Sequence, residues 1–393
     1  MEPFQFNLPA GVELDIRERT FVGKTEETEA AVSGLTPDAQ AGLRQYSLER
    51  MVGYGLDYAD AVELRARIVA GEAWQDAAIA LAEDALAVAE GGLSPASPAT
   101  RREAYQRASA LLRMSQALML SDNDRRREIV RRAVDCYAKA VELGLPREHV
   151  RIDTPEGTLS GWFVGASGGE AVGAVVMIGG VEGWAMDFDI MGDAMAARGI
   201  AALLLDGPGQ GESRILNQHY LTPDWMESFR KAIDWCETRL PGKPIGLVGN
   251  SMGGGMAIAM ANQDARIAAC INNGGVVKPS MARMAGPTFF SKMIAFTGLE
   301  GDSLEERAAE IWDQIQPLKP GPNADYPLLV LQGGRDPLVA DDHGKMFMAM
   351  TPTSNKAMEY FSDGIHCIYN HLSDRDIVMG DWMRARLLEA ASA

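Results

Sequence analysis

The chain has 393 residues, 47% of them hydrophobic, with 37 Lys and Arg against 54 Asp and Glu and a formal net charge of −17. That length fits roughly two to three domain-sized units, or one large core with an addition. The acid excess disfavours nucleic acid and anionic membrane as partners, and otherwise describes a self-repelling surface.

Residues 1–38 read as irregular, with a short strand expected near Val12–Ile16. The N-terminus has neither a basic n-region nor an apolar h-region, so no signal peptide is expected. No apolar run approaches the ~20 residues of a membrane span. The expected location is the cytoplasm. Cys136, Cys236, Cys270 and Cys367 form no CxxC and no metal or disulfide spacing. The first three sit in apolar-periodic segments and read as core.

From Pro37 to Leu145 apolar residues recur every three or four positions, as in Ala78, Leu81, Ala85 and Val88, which predicts helices. Thr36 and Pro37 read as an N-cap and first helical residue. The Gly91–Pro98 stretch breaks one helix from the next. Ala104–Leu120 and Ile129–Leu143 form a pair that loosely resembles a tetratricopeptide unit, but a solenoid needs several repeats and only one pair is present.

The texture changes at Leu145-Pro146. Val150–Asp153 and Leu159–Val164 alternate around Pro155-Glu156-Gly157 and predict a β-hairpin. Six short apolar runs follow, at Ala174–Ile178, Ala201–Leu205, Ile245–Val248, Ile267–Ile271, Leu328–Leu331 and Met358–Phe361. Such runs suit parallel strands covered on both faces. Helices are expected between and after them at Ile190–Arg198, Asp224–Leu240, Met252–Asn262, His343–Met350 and Asp374–Ala391. The pattern predicts a doubly wound, mostly parallel α/β sheet with an N-terminal all-helical cap. The division falls at 1–146 and 147–393, with a lid insert expected at 276–319, where one crossover is far too long.

Gly249-Asn250-Ser251-Met252-Gly253 lies between an apolar strand and a helix. Gly-x-Ser-x-Gly in that setting is a nucleophile elbow, in which a serine sits on a sharp turn and small neighbours let strand and helix approach. An elbow calls for an acid and a histidine later in the chain, each after a strand. Asp336 follows Leu328–Leu331, with Asp341 and Asp342 as alternatives. His366 follows Met358–Phe361, with His371 as a competitor placed at the start of the last helix. The oxyanion donors are expected to be the N–H of Met252 and that of Val181 or Glu182, in the loop Gly179–Trp184. Gly180, Glu182 and Trp184 are expected to border the substrate. For Glu182 a plain surface salt bridge is equally open. Asp206-Gly-Pro-Gly-Gln-Gly-Glu-Ser213 is glycine-rich, but it is neither a dinucleotide nor a Walker sequence. No cofactor and no metal are expected.

The DGPGQGE loop, the GNSMGG elbow, Gly179-Gly180 and Asp363–Cys367 resemble one α/β-hydrolase branch, that of 2,6-dihydroxypseudooxynicotine hydrolase and the FrsA-like proteins. Fungal polyketide-shortening hydrolases are a more distant likeness. The motifs fall within residues 170–370. The resemblance implies a helical cap over the active site that also helps form a homodimer, and a small-molecule substrate. Several members of the branch cut carbon–carbon bonds next to a ketone. The nicotine-pathway enzyme carries an acidic residue after the strand that follows the elbow helix. Here Gly274–Arg283 is basic, so Lys278 and Arg283 are expected to suit an anionic or phenolic substrate if they face inward.

The resulting expectation is a cofactor-independent serine hydrolase that cleaves a C–C bond next to a ketone in a small, aromatic or polyketide-like compound. The alternatives are a carboxylesterase or amidase with the same triad, a non-catalytic hydrolase-like regulatory protein, and, more weakly, a prolyl oligopeptidase-type peptidase.

Overall fold

Apolar runs become the central strands of one sheet. The computed structural model describes residues 29–92, 94–279, 287–340 and 342–392. The strand expected near Val12–Ile16 lies outside them. The sheet has eight strands in the order β1-β2-β4-β3-β5-β6-β7-β8. They are β1 Glu148–Thr154, β2 Gly157–Val164, β3 Gly173–Ile178, β4 Ile200–Asp206, β5 Ile245–Asn250, β6 Ile267–Asn273, β7 Leu328–Gly333 and β8 Lys356–Phe361. The β1–β2 hairpin and its pairing to β4 are antiparallel, and every later pairing is parallel.

β3, β4, β5 and β7 are buried throughout, as runs covered on both faces require. β8 departs from that expectation. It is one of the two edge strands, it carries Glu359, and Tyr360 is 48% exposed. α8 Asp189–Ala196, α9 Gly211–Ile215, α10 Trp225–Arg239, α11 Met252–Gln263, α14 Asp342–Met350 and α15 Leu372–Ala391 connect or follow the strands. One apolar cluster lies on each face of the sheet.

The N-terminal cap is helical: α2 Pro37–Gln45, α3 Leu48–Gly53, α4 Tyr58–Val69, α5 Trp74–Glu90, α6 Pro98–Ser115 and α7 Asp124–Glu142, preceded by α1 Glu29–Ser33. Side-chain caps set the starts. Thr36 accepts from the Ala39 N–H, Ser97 from Thr100 and Asn123 from Arg126. The α6–α7 pair therefore begins several residues before its apolar periodicity does. The cap has its own core, which Cys367 and Tyr369 enter from the sheet domain. Buried ion pairs fasten the two parts: Arg113 Nε to Asp187 at 2.8 Å, and Arg214 Nε to Asp122 at 2.9 Å.

The long connection after β6 holds α12 Pro287–Thr297 and α13 Leu304–Trp312. They are pinned together by Trp312, whose Nε1 donates to the Met293 carbonyl at 3.0 Å. All four cysteines are buried free thiols. Among the described residues no helix is long and apolar enough to cross a membrane.

Candidate active site

β5 ends at Asn250 and α11 begins at Met252, so Ser251 alone makes the turn. Its backbone sits at φ 55°, ψ −126°. A non-glycine residue is rarely held there, at about 1–3 kcal/mol, and such strain concentrates at functional sites. The flanking glycines have steric reasons. A Cβ on Gly249 would lie 2.1 Å from the Gly253 carbonyl oxygen, and one on Gly253 would lie 2.4 Å from that of Ile178. The Ser251 N–H donates to Asn273 O at 2.8 Å, which ties the turn to the end of β6.

The structure brings Ser251, His366 and Asp336 together from the ends of β5, β8 and β7. His366 Nε2 stands 2.9 Å from Ser251 Oγ, and His366 Nδ1 stands 2.8 Å from Asp336 Oδ2. With Nδ1–H donating to the carboxylate, Nε2 is left to accept the serine proton. The other oxygen of Asp336 receives the Leu338 and Val339 N–H groups at 2.8 and 2.9 Å. Burial disfavours the Asp336 carboxylate, but His366 and these donors outweigh it and hold the pKa below the ordinary value. Burial likewise opposes the imidazolium, yet the Asp336 charge prevails and pushes the His366 pKa up to about 10.

The His366 loop is fixed from below. Asn273 Nδ2 donates to Asn250 Oδ1 at 2.7 Å and to the Cys367 carbonyl at 3.2 Å. Buried Arg375 donates to the same carbonyl at 3.2 Å. His371 is N-terminal to α15 and bonds Asp363 at 3.0 Å, away from Ser251. Asp342 is exposed beside Lys345, and Asp341 lies outside the described residues.

The loop after β3 forms the opposite wall. Gly180 is so close that an added Cβ would sit 2.8 Å from Ser251 Cβ. Val181 and Glu182 line the same small space as Ser251 and His366. Met252 opens α11, whose first N–H groups have no intrahelical acceptor.

The glycine-rich loop after β4 holds this wall in place. Gln210 Nε2 donates to the carbonyls of Gly179 and Gly180 at 2.6 and 2.9 Å, while its Oε1 accepts from Gly207 at 2.9 Å. Asp206 accepts from Ala185 and Glu212 N–H at 2.7 and 2.8 Å, and burial pushes its pKa up to about 7. The DGPGQGE sequence is therefore a clamp on the Gly179–Gly180 loop. Gln210→Ala leaves buried carbonyls unpaired and is expected to cost about 1–3 kcal/mol in denaturant unfolding. It is also expected to lower kcat more than it changes KM. An unchanged kcat would show that the loop holds its shape without the clamp.

A second cavity, the chamber, adjoins this space between cap and core and shares Tyr54, Val181 and Glu182 with it as walls. Tyr46, Tyr54 and Arg126 of the cap, Gln210 and Arg214, and Lys292 and Phe296 of α12 line it, with Trp184 at its border. Glu182 is not a surface pair. It is buried against Lys292 and bonded to Gln45, with Arg50 Nη2 3.9 Å away. Lys278 is exposed and faces Asp313 at 3.7 Å, so the structure does not bring it to the chamber. Arg283 lies outside the described residues. The cap residues Arg50, Tyr54 and Arg126 had no motif to mark them, because only tertiary packing carries them here.

A family model described as serine aminopeptidase S33 matches residues 169–299, about a third of the chain, spanning the elbow but not Asp336 or His366. The chain is 27% identical over 287 residues to 2,6-dihydropseudooxynicotine hydrolase of Paenarthrobacter nicotinovorans, covering 70% of this chain and 74% of that protein. The chain has the α/β-hydrolase fold. It is homologous to that enzyme. The chain is also 27% identical over 226 residues to the hydrolase acrC of Aspergillus aculeatus, covering 51% and 53% of the two chains. The crystal structure of 2,6-dihydroxy-pseudo-oxynicotine hydrolase superimposes on it with a TM-score of 0.74 at 24% identity, over 88% of this chain and 97% of that one.

Proposed function

We propose that the hydrolase acts through an acyl-enzyme on Ser251 and cleaves a C–C bond next to a ketone. His366, 2.9 Å from Ser251 Oγ on one ring nitrogen and 2.8 Å from Asp336 on the other, carries the acyl-enzyme, and the homology to 2,6-dihydropseudooxynicotine hydrolase supports a C–C bond as the target. Ser251 Oγ bonds to the ketone carbon as its proton passes to Nε2. The oxyanion is held by the N–H groups of Met252 and of Val181 or Glu182. The C–C bond then breaks, its electron pair leaves on carbon as an enolate or electron-rich aromatic ring, and that carbon takes the proton from Nε2. Water, giving a proton to Nε2, attacks the Ser251 ester; Ser251 Oγ leaves, takes that proton back from Nε2, and the acid is released. One ketone and one water give one carboxylic acid and one C–H compound.

Ester or amide hydrolysis needs the same parts, and the aminopeptidase family model over the elbow favours it as a second reading. Product identification separates the two. Incubation with aryl ketones and 1,3-diketones is expected to yield an acid together with the carbon-protonated partner. Hydrolysis of simple esters with every ketone left intact would reject C–C cleavage.

A further inference from the structure

Cations outnumber carboxylates around the chamber. Arg126 Nη1 and Arg214 Nε share Asp122, at 3.0 and 2.9 Å. Arg50 and Lys292 share Glu182. All four cationic side chains are less than a tenth exposed. Only Arg113 and Asp187, also in the wall, are matched one to one. Buried charge is costly unless paired, and half of these cations lack a carboxylate of their own.

The strain shows where the chamber is lined. Burial and the Arg214 charge hold Arg126 down to about 9. Burial, Arg50 and Arg126 hold Lys292 down to about 7, so near neutral pH it keeps its proton only in part, and an added anion would favour its charged form. Arg126 gives Nε to Gln116 and Nη1 to Leu120 and Asp122. Nothing among the described residues accepts from its Nη2. Nη2 is thus left to donate a charge-assisted hydrogen bond to one oxygen of a carboxylate.

We propose that this chamber binds a carboxylate group of the substrate, with Arg126 and Lys292 as its direct partners, at the end away from the carbonyl that Ser251 attacks. The inference rests on the reading of Ser251 as nucleophile. It makes the substrate a carboxylate-bearing ketone or acyl compound, and a third carboxylate joins the four cations only when substrate is bound. The acidic protein surface would repel such a substrate, so the attraction must be local to the chamber.

The test uses p-nitrophenyl hydrogen glutarate against the neutral p-nitrophenyl valerate. A charge-assisted hydrogen bond predicts kcat/KM about 10–100-fold higher for the glutarate. Lys292→Met and Arg126→Gln should each collapse that ratio toward one. Because Arg126 also supports the loop at Asp122, Lys292→Met is the decisive variant. In parallel, Ser251→Ala protein is titrated calorimetrically with glutarate and glutaramide, and glutarate should bind at least about 10-fold more tightly. Equal rates, a preference for valerate, or a ratio that neither substitution moves would overturn the proposal, even if Ser251 hydrolyses both esters. So would equal binding of glutarate and glutaramide. If neither ester is hydrolysed but glutarate binding persists and is lost on adding Lys292→Met, the carboxylate site stands and the nucleophile reading falls.

Discussion

Ser251→Ala should lower turnover by about 10⁵–10⁶-fold, since removing the nucleophile of a coupled triad costs about as much as removing the whole unit. The fold should survive it. Alanine keeps the same backbone demand at φ 55°, and only one hydrogen bond is lost, that between Ser251 Oγ and His366 Nε2 at 2.9 Å. Thermal unfolding should therefore move little, within the range of about 0.5 kcal/mol seen when no core contact is lost. Steady-state kinetics beside a melting curve read both halves of the prediction. Retained turnover in a folded variant would place the chemistry elsewhere in the chamber.

Asp336→Asn should lower kcat by about 10⁴-fold, because an amide no longer favours the tautomer with Nδ1–H and no longer stabilises imidazolium. It has a second, independent signature in pH. The reaction needs neutral His366, so kcat/KM rises as the imidazolium loses its proton. Asp336 raises that pKa, which puts the rising limb of the native enzyme on the alkaline side of about 6.5, the ordinary histidine value. Removing the carboxylate leaves burial, which lowers the pKa, so the limb of the variant should shift to lower pH while its plateau drops. A native profile flat from pH 5 to 8, or a limb that does not move in Asp336→Asn, would contradict His366 as the base.

Strand chemistry made much of this molecule readable from sequence. The parallel strands are short unbroken apolar runs because both faces are covered, and Ser251, Asp336 and His366 each come just after such a run. Their order in the chain is enough to pair them, since parallel strands all present their C-terminal ends to one side. β8 was harder, because an edge strand needs burial on only part of its surface and Glu359 is tolerated there.

The chamber was much less legible. Arg125, Arg126 and Arg127 look alike as a charge run. Arg125 and Arg127 pair with Glu128 and Asp124 at the surface, at 3.0 and 3.2 Å. Arg126 is turned inward, three and four residues before Ile129 and Val130 on the buried face of α7. Helical phase could have singled it out, but phase alone does not reveal what the buried face covers. Lys278 and Lys292 differ in the same way. Both belong to the long connection after β6, and only the packing of α12 against the cap turns Lys292 toward Glu182 while Lys278 stays in solvent. Gln210 was visible in a motif, yet its role as a clamp on Gly179 and Gly180 depends on two loops meeting from different strands.

The central claim is that His366 and Asp336 make Ser251 a nucleophile. A fluorophosphonate is the most direct probe, because it forms a stable phosphonyl ester with an activated serine and needs no knowledge of the substrate. Intact mass followed by peptide mapping should show one adduct per chain, on Ser251, and none in His366→Ala. An unlabelled native protein, or an adduct on any other residue, would contradict the account.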